Sequence, residues 1–483
     1  MAIERSGSGE LIRGLGLLAA ISIIIGNVIG TGVFIKARVM TCNVGSPTWV
    51  MVAWIGAGLL SLAGALTYAE LAAMKPHAGG EYVFLRDAYG RVWSFMYGWM
   101  QMVIAKPGSQ AAVAVGFAIF ANDLLKGSLE STLFTTSFFG VKYELTTFQI
   151  IAAGMIVLFT FVNLMSVHVG GWLATIFTII KIGLVLTVGI GAFLLADGSF
   201  ANFGLSGTGG TCEDVANGVK YGAAGFTFVG GFAAAMLGAL WGYDGWNNLT
   251  LVAGEVKNPH KNIPLALVGG IITIMLLYVF VHIAYYYVLT PQTIASIPKT
   301  GSVAAEVATR FLGAGALALM SAGLMASSAG TLHTSILTGA RVPYAMAKDG
   351  LMLKSLGKLS SKTRVPIGAL ILQGIWACVL AFSGSFDALT NYVIFGSWIF
   401  YALVTSSIFV FRRKYPNAER PYKAFGYPIV PIVFLVVAGW LLVTNLISSP
   451  RDSMVGIILI LIGLPIYYLL TKLNKANNGD VDV

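Results

Sequence analysis

The sequence predicts an all-α integral membrane protein of about twelve transmembrane helices, and three observations carry that prediction. The chain of 483 residues is 57% hydrophobic and 10% charged, with a mean hydropathy of +0.81. Soluble domains carry roughly 25% charged residues. Apolar stretches of about 20 residues, enough to cross ~30 Å of hydrocarbon, recur from end to end. They are long and continuous, which excludes a barrel built from alternating strands of about ten residues. The net charge of +10 is scattered through the loops. It reports topology, therefore, and not a nucleic-acid surface.

In chain order, spans are expected near residues 15–39, 48–74, 92–122, 147–167, 170–196 and 219–256, then 263–289, 311–347, 364–384, 386–411, 427–448 and 454–472. "MAIERSGSGELIR" enters the first span without a small-residue cleavage site, so no signal peptide is expected. The segments between even- and odd-numbered spans hold most of the lysines and arginines, including the runs from Lys348 to Arg364 and from Arg412 to Lys423. This bias predicts a multi-pass plasma-membrane protein with both termini, 1–14 and 473–483, in the cytoplasm. The expected organisation is a five-helix unit over 15–196, an outer loop over 197–218 and a second five-helix unit over 219–411. A basic inner loop (412–426) and two final helices (427–472) complete it. Cys42 and Cys212 both fall in expected outer loops, and two separate thiols is the favoured reading.

Two spans contain their own helix-breakers. "IIIGNVIGTGVF" (Ile23 to Phe34) sets Gly26, Gly30 and Gly32 with a threonine in mid-span, and "ALWGYDGWNNLTLVAGE" (Ala239 to Glu255) sets a glycine-flanked aspartate in span six. Unwinding a helix in lipid leaves backbone groups unpaired at several kcal/mol each, which is tolerable only where they face a polar cavity or a ligand. Paired interruptions in matching halves are the strongest sequence pointer to a transporter's midplane site. The N–H groups of Gly30, Thr31 and Gly32 would open a half-helix whose positive end suits a carboxylate. Freed carbonyls near Val28, Trp241 and Asp244 would suit an ammonium. The expected substrate-binding set is Val28, Ile29, Gly30, Thr31, Gly32, Trp241, Tyr243, Asp244 and Asn247.

Further stretches, in order, carry a resemblance. "GNVIGTGVF", "GALTYAELAAMKPHAGGEY", "AKPGSQ", "YDGWNNLTLVAGEVKNPHKNIPLA", "GARVPYAMAKDG" and "ERPYKAFGYPIVPIVF" resemble the amino acid–polyamine–organocation transporters, and more narrowly their L-type amino acid transporter branch. The resemblance implies a five-plus-five inverted repeat with discontinuous helices 1 and 6, alternating access, and exchange of L-amino acids. It also implies that Trp241 gates the site and that Lys181, in mid-span five, stands in for a sodium ion. Relatives with a tethered glycoprotein subunit carry a cysteine between helices 3 and 4. Residues 122–147 contain none, so no disulfide-linked heavy chain is expected. His333 stands where relatives often have asparagine.

Lys181 is the foremost charge, because an ammonium inside a span is a functional candidate by default. Lys106 precedes Pro107, which frees a helix carbonyl that the ammonium would help satisfy; a substrate-facing role is equally open. Lys106, Ser109, His333 and Trp398 are possible walls of the site. Asp244 either caps the restarted helix at Trp246 and Asn247 or meets a cationic side chain. Capping is favoured, which ranks neutral substrates first. The five histidines show no metal-ligand spacing, and no metal or cofactor is expected. The leading function is a sodium-independent exchanger of neutral L-amino acids. Alternatives are a proton-coupled symporter, a broad neutral and cationic exchanger, and a sensor that binds without transport. No catalytic constellation occurs within the spans, so an enzyme is not expected.

Overall fold

A computed structural model describes residues 11–477, apart from 126, 130, 139–140, 209–211, 213–214, 299–300, 384–385 and 449. Residues 1–10 and 478–483, most of the two expected cytoplasmic termini, lie outside the described residues. The first span is divided into α1 (Leu17–Val28) and α2 (Gly32–Val44), and α3 (Pro47–Met74) is the second. A short helix, α4 (Glu81–Tyr89), leads to the third, built of α5 (Arg91–Met100), a π-helical turn (Gln101–Ala105) and α6 (Lys106–Leu124). Spans four and five are α7 (Thr147–Asn163) and α8 (Val167–Leu195). The sixth comprises α9 (Phe228–Tyr243) and the one-turn α10 (Asn248–Leu251). The seventh is α11 (Pro259–Val288); α12 (Pro291–Ser296) and α13 (Val303–Leu312) precede the eighth, α14 (Ala316–Gly339), and α15 (Arg341–Lys348) follows it. The last four spans are α16 (Ile367–Ser383), α17 (Phe386–Lys414), α18 (Ile429–Ser448) and the pair α19 (Pro450–Leu461) and α20 (Gly463–Asn477).

Among the described residues, eight helical segments are long and apolar enough to cross a membrane, and α7, α9 and α16 are shorter apolar helices. α14 completes the twelve. It is threaded with serine and threonine, and it tolerates them because the segment from Ser327 to Gly339 is buried by protein. Spans five places apart pack on one another: α2 on α9, α3 on α11, α6 on α14 and α7 on α16. Such pairing of corresponding helices is what two interlocked halves produce.

Between the third and fourth spans, β1 (Thr132–Phe138) and β2 (Val141–Thr146) form an antiparallel hairpin. The sixth span is interrupted as expected: Gly245 adopts φ +104° and the chain resumes only as α10 and a 3₁₀ turn over Ala253–Glu255. Cys42 and Cys212 are not separate thiols but a disulfide, their Cα atoms 5.8 Å apart. Backbone contacts draw the 205–221 loop onto the end of α2, through Gly207 N–H to the Gly45 carbonyl (2.8 Å) and Tyr221 N–H to the Cys42 carbonyl (2.9 Å). Both sulfurs are thereby buried beside Val215 and Ala295.

At the face carrying the basic loops, the ends of spans one, six and eight are tied together. Leu15 N–H donates to the Glu255 carbonyl (2.9 Å), and Lys257 N–H donates to the Leu15 carbonyl (2.8 Å). The Glu255 carboxylate accepts two bonds from Arg341, at 2.7 and 2.9 Å, and the arginine also donates to the Leu337 carbonyl (2.6 Å). Both charges are fully buried, at 0% and 1% exposure. Nearby, Arg86 donates to Asp349 (2.7 Å) and pairs with Asp87. Burial works against its charge, but the two carboxylates prevail and raise its pKa.

Removing one partner of such a pair leaves an uncompensated buried charge. Arg341→Met is expected to destabilise the protein by about 3–5 kcal/mol, and adding Glu255→Met should recover much of that loss. Thermal unfolding of the purified variants in detergent, followed by tryptophan fluorescence, checks both.

Candidate functional site

Where α1 ends, carbonyls lose their helical donors. Ile29 N–H still closes on the Ile25 carbonyl at 2.8 Å, but the next carbonyls are met by side chains from other spans. Lys181 Nζ, from α8, donates to the Gly26 carbonyl (2.6 Å) and to Thr331 Oγ1 (2.7 Å). Thr331 in turn donates to the Ile29 carbonyl (3.2 Å), which Ser327 also approaches (3.3 Å). The Tyr278 hydroxyl, from α11, lies 3.0 Å from the Val28 carbonyl and 2.9 Å from that of Gly242, so one proton serves both breaks.

The other half of the interruption is left open. The N–H groups of Gly30, Thr31 and Gly32 meet no acceptor among the described residues. Thr31 Oγ1 is buried and unpartnered. Gly32 rests directly on the second break, because a Cβ there would lie 2.8 Å from the Gly242 Cα. A helix start with unpaired N–H groups and a free hydroxyl is an anion site by construction.

These groups line a cavity between the two breaks, walled by residues of spans one, three, six, eight and ten. Of the expected residues, Val28, Gly30, Thr31, Gly32, Lys106, Ser109, Trp241 and Asp244 line it. Ile29, Lys181, Tyr243, Asn247, His333 and Trp398 do not. Ile29 and Lys181 stand behind the wall, tied to α14 as described. Tyr243 is fully buried against Trp54 and Tyr278, with ring centroids 5.8 and 5.1 Å apart. Asn247 lies one layer out, between Glu81 and Tyr401.

His333 points away: its ring nitrogens face the Asn163 side chain (3.1 Å) and the Gly170 carbonyl (2.9 Å). The cavity residues of α14 are Thr331 and Ser335. Four residues apart, they share a helix face, whereas His333 lies two positions on and about 200° round the helix. Trp398 is displaced for the same reason. Ser397 and Tyr401 face the cavity, while Trp398 stacks on Phe434 at 5.6 Å.

Two assignments of polar groups also change. Asp244 does not cap the restarted helix, since α10 begins only at Asn248 with Asn247 in the cap position. Its carboxylate accepts instead from the Tyr401 hydroxyl at 2.7 Å. Lys106 does not satisfy the carbonyl that Pro107 frees. That carbonyl belongs to Val103, four residues earlier, and takes the Trp376 indole N–H at 2.8 Å. Lys106 bonds to Asn248, whose amide continues to Asn27 at 3.0 Å, joining spans three, six and one. The freed carbonyls of Val28 and Trp241 are likewise already engaged, by Tyr278 and by Asp244 N–H (3.2 Å).

Sequence reasoning missed Asn27, Gln101, Asn248, Thr331, Ser335, Ser397 and Tyr401 among the lining residues. The signal available was spacing. Thr331 with Ser335 and Ser397 with Tyr401 are small or polar pairs at i, i+4 within apolar spans. No His, Cys, Asp and Glu grouping fit to hold a metal occurs among the described residues.

A model of a family described as amino acid permease matches residues 15–470. The chain belongs to that family. Among curated proteins, this permease is 30% identical to the b(0,+)-type amino acid transporter 1 of Mus musculus, over 95% of this chain and 88% of that protein. It is 30% identical to the serine/threonine exchanger SteT of Bacillus subtilis, over 96% and 98% respectively. With the large neutral amino acids transporter small subunit 2 of Mus musculus it shares 29% identity over 97% and 83%.

The contact between the two breaks makes glycine indispensable in the permease at 32. Gly32→Ala is expected to lower substrate affinity at least about a hundredfold, whereas Thr31→Ser, which keeps the hydroxyl, should stay within about threefold. Equilibrium binding of a radiolabelled amino acid to purified protein distinguishes them.

Proposed function

We propose that this permease exchanges L-amino acids, neutral ones first, across the plasma membrane without sodium. The observation that carries the reading is the pairing of unpaired N–H groups at Gly30 to Gly32 with a tethered ammonium at Lys181. The first suits a substrate carboxylate. The second occupies the Gly26 carbonyl and the Thr331 hydroxyl, two oxygens of the kind a sodium ion would otherwise need. Lys106 and Asp244 line the cavity together, so their opposite charges offset and favour a substrate side chain without net charge. Trp241, at the meeting of the two breaks, is the proposed gate.

The proposal extends to assembly and topology. Both termini lie on the cytoplasmic side, and the basic loops supply the orientation. No covalently tethered subunit is invoked: Cys42 and Cys212 bond to each other, and Cys378 sits within α16.

One observation favours a broader substrate range. The Asp244 carboxylate faces the cavity, where it is available to a cationic side chain as a capping residue would not be. Competition by lysine and arginine as strong as that by alanine and serine would select the broad neutral and cationic exchanger.

Counterflow in proteoliposomes tests the main reading. Uptake is expected to require amino acid inside the vesicles and to be unchanged when sodium is replaced by choline. Robust uptake into empty vesicles under a pH gradient would establish proton symport instead. Lys181→Ala should reduce exchange by at least about tenfold, and full exchange by that variant would remove the lysine from the mechanism.

A further inference from the structure

One sequence feature remains outside the site as drawn, the Gly79-Gly80-Glu81 turn between spans two and three. Gly79 and Gly80 adopt φ of +92° and +41°. A Cβ on Gly80 would lie 2.5 Å from the carbonyl carbon of Thr250, and Gly79 N–H donates to the Leu251 carbonyl at 2.9 Å. The turn is thus pressed against α10, the helical turn that restarts after the second break. It delivers Glu81, at 0% exposure, into the protein.

Among the described residues Glu81 has no ion-pair partner, yet its carboxylate collects three donors. Tyr68 Oη donates to Oε1 (2.9 Å), while Tyr97 Oη (2.5 Å) and Asn247 Nδ2 (2.8 Å) donate to Oε2. With its nitrogen donating to the Glu81 carboxyl oxygen, Asn247 turns its own oxygen the other way. That oxygen faces the Tyr401 hydroxyl at 3.2 Å, and the same hydroxyl lies 2.7 Å from Asp244 Oδ1. The tyrosine has one proton and two acceptors beside it. Its proton is therefore engaged by these acceptors, and the lone pair of the Tyr401 oxygen that Ser397 does not use remains for a ligand in the cavity that both residues line.

We propose that Glu81 is a positioning residue for side-chain selection: by holding the Asn247 amide in one orientation, it keeps the Tyr401 and Asp244 wall of the cavity an acceptor surface, selective for amino acids whose side chain carries a hydrogen-bond donor such as a hydroxyl. This rests on the cavity being the amino acid site. Without the acceptor at 81, the amide is free to turn and donate to Tyr401, filling the lone pairs that a substrate hydroxyl would use.

The test is a matched pair of ligands, serine and alanine, which differ by that hydroxyl, measured by equilibrium binding to the full-length protein in nanodiscs. Glu81→Leu should weaken serine about tenfold and alanine less than about twofold, while Glu81→Gln, which retains an acceptor toward Asn247, should leave both within about threefold. Adding Glu81→Leu to Tyr401→Phe should leave serine affinity where Tyr401→Phe alone puts it, since the effect runs through that hydroxyl. If Glu81→Leu does not fold, Glu81→Met leaves the Asn247 amide equally without its carboxylate acceptor and should weaken serine by the same factor. Equal losses for serine and alanine, or no loss for serine in the folded variant, would overturn the proposal. Failure of the site reading appears separately, as serine and alanine binding to the unmodified protein that Gly32→Ala leaves intact.

Discussion

The constraint on which the permease depends is the backbone left bare where α1 stops in mid-membrane. In lipid each unpaired carbonyl is worth several kcal/mol, so the break exists only because other spans supply donors. Three different helices do so: α8 with Lys181, α14 with Thr331 and Ser327, and α11 with Tyr278. The carbonyl side of the break is thereby satisfied by protein, and the N–H side is not. This asymmetry is what makes the interruption a receptor for an anion and not a mere defect in packing. The close approach of Gly32 to Gly242 then brings the second break, with Trp241 and Asp244, to the same place.

Around that centre the polar residues form a connected set. Lys106 reaches Asn248, Asn248 reaches Asn27, and Tyr401 bridges Asp244 and Asn247, which leads to Glu81. Buried polar groups are secure only when each finds its partner. Here the partners come from spans one, three, six and ten and from the start of α4. Substrate selection therefore belongs to several spans at once.

Much of this was legible in the sequence, and the boundary is physical. Glycines and an aspartate inside apolar runs mark where a helix must stop, and both breaks stand where "GNVIGTG" and "WGYDGW" place them. The number of spans follows equally directly from apolar length, even for α14, whose serines and threonines dilute its hydropathy. What spacing along the chain does not specify is azimuth. His333 and Trp398 were assigned to the right helices but to the wrong faces, because one or two positions turn a side chain by about 100° or 200°. Asp244 was misassigned through a related uncertainty, the number of residues between a break and the restart of the helix. The pairing of Cys42 with Cys212 depends on where a long loop folds back, and no local pattern carries that.

The π turn over Gln101–Ala105 bears on that same question of azimuth. A π turn holds one residue more than an α turn over the same rise, so it shifts the phase of everything that follows it in the third span. Lys106, Ser109 and Val113 owe their shared view of the cavity to that extra residue. The third span thus behaves as two helices with separate bearings joined by a fixed offset. A deletion of a single residue within that turn would leave every side chain in the bundle chemically intact and aim the second bearing elsewhere.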